Sequence, residues 1–282
     1  MMSDRTLHNG TLYVVGTPVG NLGDITLRAL ETLKSVDFIA AEDTRVTLKL
    51  LNRYEIKKPL VSCYEHSGAD RIEKIAERIH GGESCAVVSD AGTPCISDPG
   101  TELVNACIKL GVNIRVVPGP SALITALSVS GITAPRFSFE GFLSRNKTSR
   151  RLCLQNLKDS EYTMVFYEAP HKLLHTLADM LKHWGDRKIV IAKELTKIHE
   201  NILRTSLSAA IEHYTKIPPR GEYVLIIESI QKPSEPKISL PEAAAAALGY
   251  IKDGMPPSEA AKKAAKQSGI SKSKIYKEII QS

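Results

Sequence analysis

Residues 86–100 read AVVSDAGTPCISDPG. The opening apolar run, rich in valine, is typical of a buried strand, and it stops at Ser89 and Asp90. The small residues 91–94, which include a Gly and a Pro, predict a tight turn. Ligands in open α/β sheets bind beyond the carboxyl ends of strands, where Asp90 would offer an acceptor and Gly92 would let a ligand approach the backbone. An ordinary loop between a strand and a helix has a similar composition, so this pattern alone leaves both interpretations open.

A predicted helix follows this loop. Asp98 is predicted to cap it, Pro99 suits its first position and Gly111 suits its end. The segment therefore predicts a strand, a polar loop and a helix, which is the repeating unit of a parallel α/β sheet.

The first half of the chain repeats this unit. Polar or turn residues follow each apolar segment, and the predicted strands are 11–15, 38–41, 60–63, 86–88 and 112–117. The alternation predicts an α/β fold with a largely parallel, doubly wound sheet. Gly16, Gly20 and Gly23 follow the first strand but fit neither the dinucleotide fingerprint nor the P-loop, so neither class of nucleotide-binding protein is supported.

The second half of the α/β region has more hairpin-like neighbours. Its predicted strands are 136–142, 162–167, 188–193, 202–204 and 221–230, with helices over 172–184 and after a cap at Ser206. This pattern predicts a mixed sheet. The predicted domains are 1–118 (N-terminal α/β), 119–230 (second α/β), 231–236 (linker) and 237–282 (C-terminal helical).

The C-terminal segment has the pattern of a helix-turn-helix. Gly269 falls in the predicted turn and Ser271 caps the predicted second helix. From Glu235 to Ser282 there are eight lysines and five acidic residues, a net charge of +3. Contact with nucleic acid and simple packing or dimerisation are both compatible with this composition.

Composition sets broad limits on the class of protein. The 282 residues carry a net charge of +6 with a pI near 9.0, a mild basic balance that suits an anionic partner. No apolar run approaches the roughly 20 residues needed to span a membrane, and residues 1–10 lack the apolar core of a signal peptide. The five cysteines form no metal-binding spacing, so free thiols in a reducing cytoplasm and no metal are expected.

Two groups of charged residues are candidates for chemistry. The loop 143–151 carries four cations, and since cations oppose the dipole at a helix N-terminus, an anionic partner would relieve a local cost. Carboxylates and a histidine also follow predicted strands, although each has salt bridging or capping as an alternative role. The cations are Arg145, Lys147, Arg150 and Arg151; the strand-end residues are Glu42, Asp43, Glu168, Glu194 and His171.

Five motifs resemble those of the bacterial small-subunit ribosomal RNA cytidine 2′-O-ribose methyltransferases, a family within the tetrapyrrole methylase superfamily. The resemblance covers nearly the whole chain, and residues 88–100 are its most specific part. One departure is Lys172, where the family often has Arg. The motifs are GTPVGNL (16–22), AEDTR (41–45), VSDAGTPCISDPG (88–100), PGPSA (118–122) and YEAPH (167–171).

This resemblance implies two α/β domains with S-adenosylmethionine between them, a homodimer, and methylation of a cytidine ribose 2′-hydroxyl in small-subunit (16S) rRNA. By the family pattern, two segments would line the cofactor pocket and two would close it from the second domain. The lining residues are Asp90, Ala91, Gly92, Thr93, Pro94, Ser121 and Ala122; the closing residues are Tyr167, Pro170, Gly221 and Glu222.

The implied reaction needs alignment of the hydroxyl with a methyl sulfonium and removal of one proton. The sequence leaves the base open among Glu42, Asp43, Glu168, Lys193 and Glu194. RNA phosphates would be bound by basic side chains of the loop and the tail. These are Arg145, Lys147, Arg150, Arg151, Lys272 and Lys274.

Two alternative functions remain at this point. Other members of the superfamily methylate tetrapyrroles at carbon, but such a substrate would need neither the basic loop nor the helical tail. A DNA-binding regulator that uses the helix-turn-helix is disfavoured by the polar ends of so many strands.

Overall fold

A parallel sheet of five strands forms the first half of the chain in the computed structural model, which describes residues 10–64, 68–229 and 239–281. Its strands, in the spatial order β3-β2-β4-β1-β5, are β1 (Thr11–Val15), β2 (Phe38–Ala41), β3 (Leu60–Ser62), β4 (Cys85–Val88) and β5 (Asn113–Val117). The helices between them are α1 (Leu27–Ser35), α2 (Thr44–Arg53), α3 (Ala69–His80) and α4 (Thr101–Lys109). Neighbouring strands are parallel throughout, which confirms the predicted doubly wound sheet.

The interior strands β2 and β4 are short, apolar and buried at every position. This is expected where helices cover both faces of a parallel sheet. At the ends of β1 and β5, a Cβ atom on Gly16 would lie 2.8 Å from the Cα of Gly119. Gly16 therefore permits close packing of adjacent strand ends, a role outside the nucleotide-loop motifs.

The predicted start of α4 is wrong. The helix begins at Thr101 with Gly100 as its N-cap residue, so Asp98 and Pro99 lie in the preceding loop. Gly100 has φ 125° and Cys95 has φ 69°, which folds the loop tightly; a Cβ atom on Gly100 would meet the Cys95 Sγ at 2.8 Å. The Asp98 carboxylate is therefore not used as a helix cap.

The second sheet is mixed, as predicted. Its strands, in the spatial order β6-β7-β10-β8-β9, are β6 (Phe137–Phe142), β7 (Thr163–Glu168), β8 (Lys188–Lys193), β9 (Asn201–Ser206) and β10 (Tyr223–Ile227). Only β6 and β7 pair in parallel among the strand pairs described in this sheet. The helices are α5 (Ala122–Ser130), α6 (Lys147–Asn156), α7 (Leu173–Trp184) and α8 (Leu207–Lys216), and Ser206 caps α8 as predicted.

The two sheets belong to one compact unit, Met1–Ser229, and the rest of the chain forms a second unit, Ile230–Ser282. Helix α5 packs Leu123 and Ala126 against the second sheet, so the chain passes from one sheet to the other after β5. The predicted domain boundary after residue 118 stays a prediction. The predicted linker 231–236 lies outside the described residues.

Three helices form the C-terminal unit: α9 (Leu240–Lys252), α10 (Pro257–Ser268) and α11 (Lys272–Gln281). Ser239 and Glu242 make a reciprocal capping box at the start of α9. Alanines of α9 and α10 pack with Ile275 in a small core. Gly269, with φ 70°, ends α10 and turns the chain into α11, so the predicted helix-turn-helix is present.

Among the helices described, each is too short or too polar to cross a bilayer. The described ranges contain no group of three or more His, Cys, Asp or Glu side chains arranged to hold a metal ion. All five cysteines lie within these ranges and are free thiols.

Candidate functional site

A cavity of about 330 Å³, here called the inter-sheet cleft, lies where β4 ends in the first sheet and where β7, β8 and β10 meet it from the second. Most of the predicted cofactor residues line it, together with apolar side chains and two further carboxylates, Asp98 and Glu168. The predicted residues in the lining are Ala91, Gly92, Thr93, Ser121, Ala122, Tyr167, Pro170 and Glu222; the others include Val19, Ile96, Asp98, Phe142 and Leu195.

Hydrogen bonds hold the loop after β4 in place. The backbone of Gly92 pairs with Thr17 in both directions, at 2.8 and 3.1 Å, and the Thr93 hydroxyl donates to the Pro120 carbonyl at 3.1 Å. Gly92 has φ 85°, although a Cβ atom there would meet its nearest neighbours only at 3.7 Å. The need for glycine is therefore conformational, because left-handed backbone disfavours any side chain.

Tyr167 joins the two halves at the cleft. Its hydroxyl accepts a hydrogen bond from the Leu123 backbone N–H at 3.1 Å, at the start of α5. Its ring contacts Phe139 and Phe142 edge-on, with centroids 4.8 and 5.6 Å away. Burial raises the pKa of Tyr167, so the phenol stays neutral at physiological pH.

Three predicted cofactor residues, Asp90, Pro94 and Gly221, lie outside the cleft lining. The Asp90 Oδ1 accepts from the Asp43 N–H at 3.1 Å, which ties the ends of β2 and β4 together. Gly221 has φ 84°, and a Cβ atom there would lie 2.5 Å from the Glu194 Cδ. Asp90 therefore joins two strand ends beside the cleft, and Gly221 leaves room for the Glu194 side chain.

Three of the predicted base candidates are engaged in structural contacts. Asp43 caps α2 and accepts from the Arg45 backbone and guanidinium, which lowers its pKa to about 2. Glu168 is buried, accepting from the Thr176 hydroxyl at 2.5 Å and from the Ala169 N–H at 2.9 Å. Asp43 is a poor proton acceptor because its pKa is lowered, and the oxygens of Glu168 already have hydrogen-bond partners.

Glu194 is also paired. Its Oε1 accepts from the Lys197 Nζ at 3.0 Å and from the Glu222 N–H at 2.9 Å. Burial opposes ionisation here, but the hydrogen bonds and the charges of Lys197 and Lys193 outweigh it and lower the pKa of Glu194. Lys197 also bonds Glu222 at 2.9 Å, so this cluster supports one wall of the cleft.

Asp98 is the carboxylate that the sequence prediction missed. It lines the cleft, is half-buried, and makes no hydrogen bond or ion pair that the described residues supply. Burial, together with the charges of Glu42 and Asp90, raises the pKa of Asp98 to about 6. The available signal was the repetition of Ser-Asp at 89–90 and 97–98 within one loop, which the helix-cap interpretation obscured.

Glu42 is one of the two carboxylates whose charges act on Asp98. Its Oε2 accepts from the Asp90 N–H at 3.1 Å, so Glu42 and Asp90 brace each other's strands. Asp98 therefore faces the cleft beside two carboxylates, Glu42 and Asp90, whose negative charges raise its pKa.

A second cavity, of about 770 Å³, lies between the start of α6 and one side of α7 and is here called the basic groove. Its charged lining is almost entirely cationic: Arg145, Lys147, Arg150, Arg151, Lys172 and Lys182, with His171, His175 and one acid, Asp179.

The predicted RNA-binding cations of the groove differ in their surroundings. Arg145 and Lys147 are exposed, whereas Arg150 is half-buried and donates to Asp179 at 2.7 Å and to the Ser144 carbonyl at 3.2 Å. Arg150 thus organises the loop. Asn146 caps α6 by accepting from two backbone N–H groups.

The cleft and the groove adjoin each other. Phe142 lines the cleft, and the next residue, Leu143, lines the groove. Likewise, Pro170 lines the cleft and His171 lines the groove. His171 therefore faces the groove. Both tail lysines are exposed, and Lys272 donates to the Ser258 hydroxyl at 2.8 Å.

The two α/β halves belong to a known family of methylases. Residues 11–211 match the sequence profile of the Tetrapyrrole (Corrin/Porphyrin) Methylases, and the chain belongs to this family. The fold is shared with the uroporphyrin-III C-methyl transferase of Thermus thermophilus complexed with S-adenyl homocysteine. That structure has a TM-score of 0.56 and 17% identity over 78% of this chain and 97% of its own.

Within this family the chain is similar to proteins named ribosomal RNA small subunit methyltransferase I. The Thermotoga maritima protein is 50% identical over 218 residues, which cover 77% of this chain and 98% of that protein. The Synechocystis protein is 42% identical over 268 residues, covering 95% and 96%. The predicted family and the predicted methyltransferase activity are confirmed.

Proposed function

We propose that this protein transfers a methyl group from S-adenosylmethionine to the ribose 2′-hydroxyl of a cytidine in small-subunit ribosomal RNA. The observation that carries the proposal is the contact between the inter-sheet cleft and the basic groove. A groove with six cations beside the cleft suits a long polyanion such as RNA, because most of the affinity for RNA comes from its phosphates. The names of the relatives support the same substrate.

The cleft suits a cofactor with an apolar body and a few polar groups. Its volume of about 330 Å³ lies within the range of small-molecule sites. Residues 91–93, Ser121 and Ala122 would hold the cofactor from one side, and Tyr167, Pro170 and Glu222 from the other. The cofactor supplies a methyl sulfonium, which is its own leaving group. The protein therefore has to align the hydroxyl, exclude water and accept a proton.

Asp98 is our choice for the proton acceptor. Its carboxylate faces the cleft without a partner among the described residues, and its pKa of about 6 leaves it ionised yet basic at neutral pH. Asp43, Glu168 and Glu194 are less suitable because each is already hydrogen-bonded. Glu42 acts on the base through its charge.

The basic groove would hold the RNA backbone beside the target nucleotide. Exposed Arg145 and Lys147 suit phosphate contacts, and Lys274 of the helical unit offers a further one. Arg150 would act mainly by fixing the loop, because Asp179 already occupies its guanidinium.

We also propose a cytoplasmic homodimer that acts on the assembled small subunit. The edge strand β5 and the end of α4 expose apolar side chains, including Ile108 and Val116, at 60% and 64%. A second copy of the chain would remove such a surface from water.

The proposed function is tested with methyl-labelled S-adenosylmethionine and three acceptors: unmethylated small ribosomal subunits, their naked RNA, and a porphyrin precursor. We expect label in the subunit RNA, recovered after digestion as 2′-O-methylcytidine by mass spectrometry. Label on a base or on the porphyrin precursor, or no label, would overturn the proposal. Greater labelling of naked RNA than of subunits would refute only the assembled acceptor.

A further inference from the structure

Phe142 is an aromatic side chain of the cleft lining that has no role in the proposed function so far. It is the last residue of β6, lines the inter-sheet cleft, and leaves 53% of its surface exposed. An aromatic ring in this position presents an apolar face to a ligand that enters the cleft.

A β-bulge in β6 determines the direction in which this ring points. Strand β6 pairs Phe139 with Val165 but Phe142 with Tyr167, because a bulge between Phe139 and Gly141 shifts the register by one residue. Side chains alternate between the faces of a strand, so without the bulge Phe139 and Phe142 would point to opposite faces. With it, both rings contact Tyr167. Bulges are common next to active sites, where they redirect a side chain.

Neighbouring groups hold the ring at the boundary between the cleft and the basic groove. Tyr167 contacts it with an interplanar angle of 63°. The Lys172 Nζ lies 5.7 Å from the ring centroid and 3.5 Å from the Glu168 carboxylate. Lys172 lines the groove and Phe142 lines the cleft, so a nucleotide that passes from one cavity to the other meets this ring.

We propose that Phe142 is the platform on which the base of the target nucleotide stacks when its ribose enters the cleft. The inference rests on the proposed function and names a residue that determines how the substrate is held. RNA is commonly recognised through unstacked bases that lie on aromatic rings, and enzymes that modify a nucleotide inside a structured RNA take it out of its stack.

The test compares Phe142→Ala, Phe142→Leu and Phe142→Trp with a matched control, Phe137→Ala. Phe137 begins the same strand and is 41% exposed, but it lies outside both cavities. For each variant we would measure KM and kcat with unmethylated small ribosomal subunits. Cofactor affinity would be measured by calorimetry, and folding by circular dichroism and thermal denaturation.

Loss of stacking should weaken acceptor binding on the order of tenfold. We expect Phe142→Ala and Phe142→Leu to raise KM by this factor while cofactor affinity and folding stay unchanged. Phe142→Trp should restore the wild-type KM, and Phe137→Ala should equal wild type. Full activity of Phe142→Leu would refute stacking, since apolar volume would then suffice. A parallel fall in cofactor affinity would also refute it, because the ring would then contact the cofactor and not the base. Failure of the wild-type protein to methylate subunits would instead refute the proposed function.

Discussion

Replacing Asp98 with Asn should make the protein more stable and less active. The change keeps the shape of the side chain but removes its charge and its ability to accept a proton. Asp98 is half-buried and is subject to the charges of Glu42 and Asp90, and its own charge acts on Cys95 and Tyr167. Burial and these two negative charges make its ionisation in the folded state unfavourable.

The size of the stability effect follows from the raised pKa. A rise from 3.8 to about 6 corresponds to about 3 kcal/mol at about 1.4 kcal/mol per pH unit. Because the side chain is only half-buried, solvent screens the charges and we expect about 1 kcal/mol. A raised carboxyl pKa means that the folded state binds the proton more tightly, so wild-type stability should fall as the pH rises from about 4 to about 6 and level off above.

The assay is denaturation of both proteins across this pH range, combined with kcat measurements. At pH 8 the melting temperature of Asp98→Asn should exceed that of wild type by about 2–4 °C, and the difference should vanish near pH 4. Its kcat should fall about 100-fold or more, and the wild-type rate should rise with pH through about 6. Glu31→Gln, an exposed carboxylate within α1, is the matched control. Equal stability at both pH values, or an unchanged kcat, would refute the reasoning.

Three further predictions concern the cofactor loop, the basic groove and the helical unit. Gly92→Ala should lower S-adenosylmethionine affinity and cost about 1 kcal/mol of stability, because φ is 85° there; calorimetry should find no change in Gly68→Ala, which has open space and negative φ. Replacing Arg145 and Lys147 with Ala should reduce the slope of log K for RNA binding against log salt concentration by about 0.7 for each phosphate that is no longer neutralised. An unaltered slope would show that these two side chains do not contact phosphates. The control for the groove carries Lys34→Ala and Lys109→Ala. Removing residues 230–282 should leave cofactor affinity intact and weaken RNA binding on the order of ten- to a hundred-fold; a truncated monomer in sedimentation that no longer binds cofactor would contradict this.

The fold was predictable because its signals are local. Buried strands such as 86–88 are short apolar runs, and the turns after them carry Gly and Pro. The same reasoning located the helix-turn-helix, whose Gly269 adopts the left-handed conformation that ends α10. The start of α4 was mispredicted because Asp-Pro is a general helix-start signal, whereas Gly100 and Cys95 adopt backbone conformations that no propensity predicts.

The site was less predictable because it depends on pairings across the fold. Glu168 and Asp98 both line the cleft, but Thr176 and Lys172 engage the first, whereas the second has no partner among the described residues. The orientation of Phe142 is a clearer case. It follows from one extra residue in the register between β6 and β7, and alternation along the strand would have placed the ring on the opposite face.

Under the proposed function, the distribution of charge separates the binding of the RNA backbone in the groove from the reaction in the cleft. The end of the first sheet is acidic, through Glu42, Asp90 and Asp98, whereas the groove beside it is cationic. A phosphate would be repelled by the first and attracted by the second, because like charges repel and unlike charges attract. The RNA backbone would thereby be kept over α6 and α7, and an uncharged part of the nucleotide would approach Asp98. A ribose hydroxyl meets that condition, and under the proposed function its proton is the one that the Asp98 carboxylate would take.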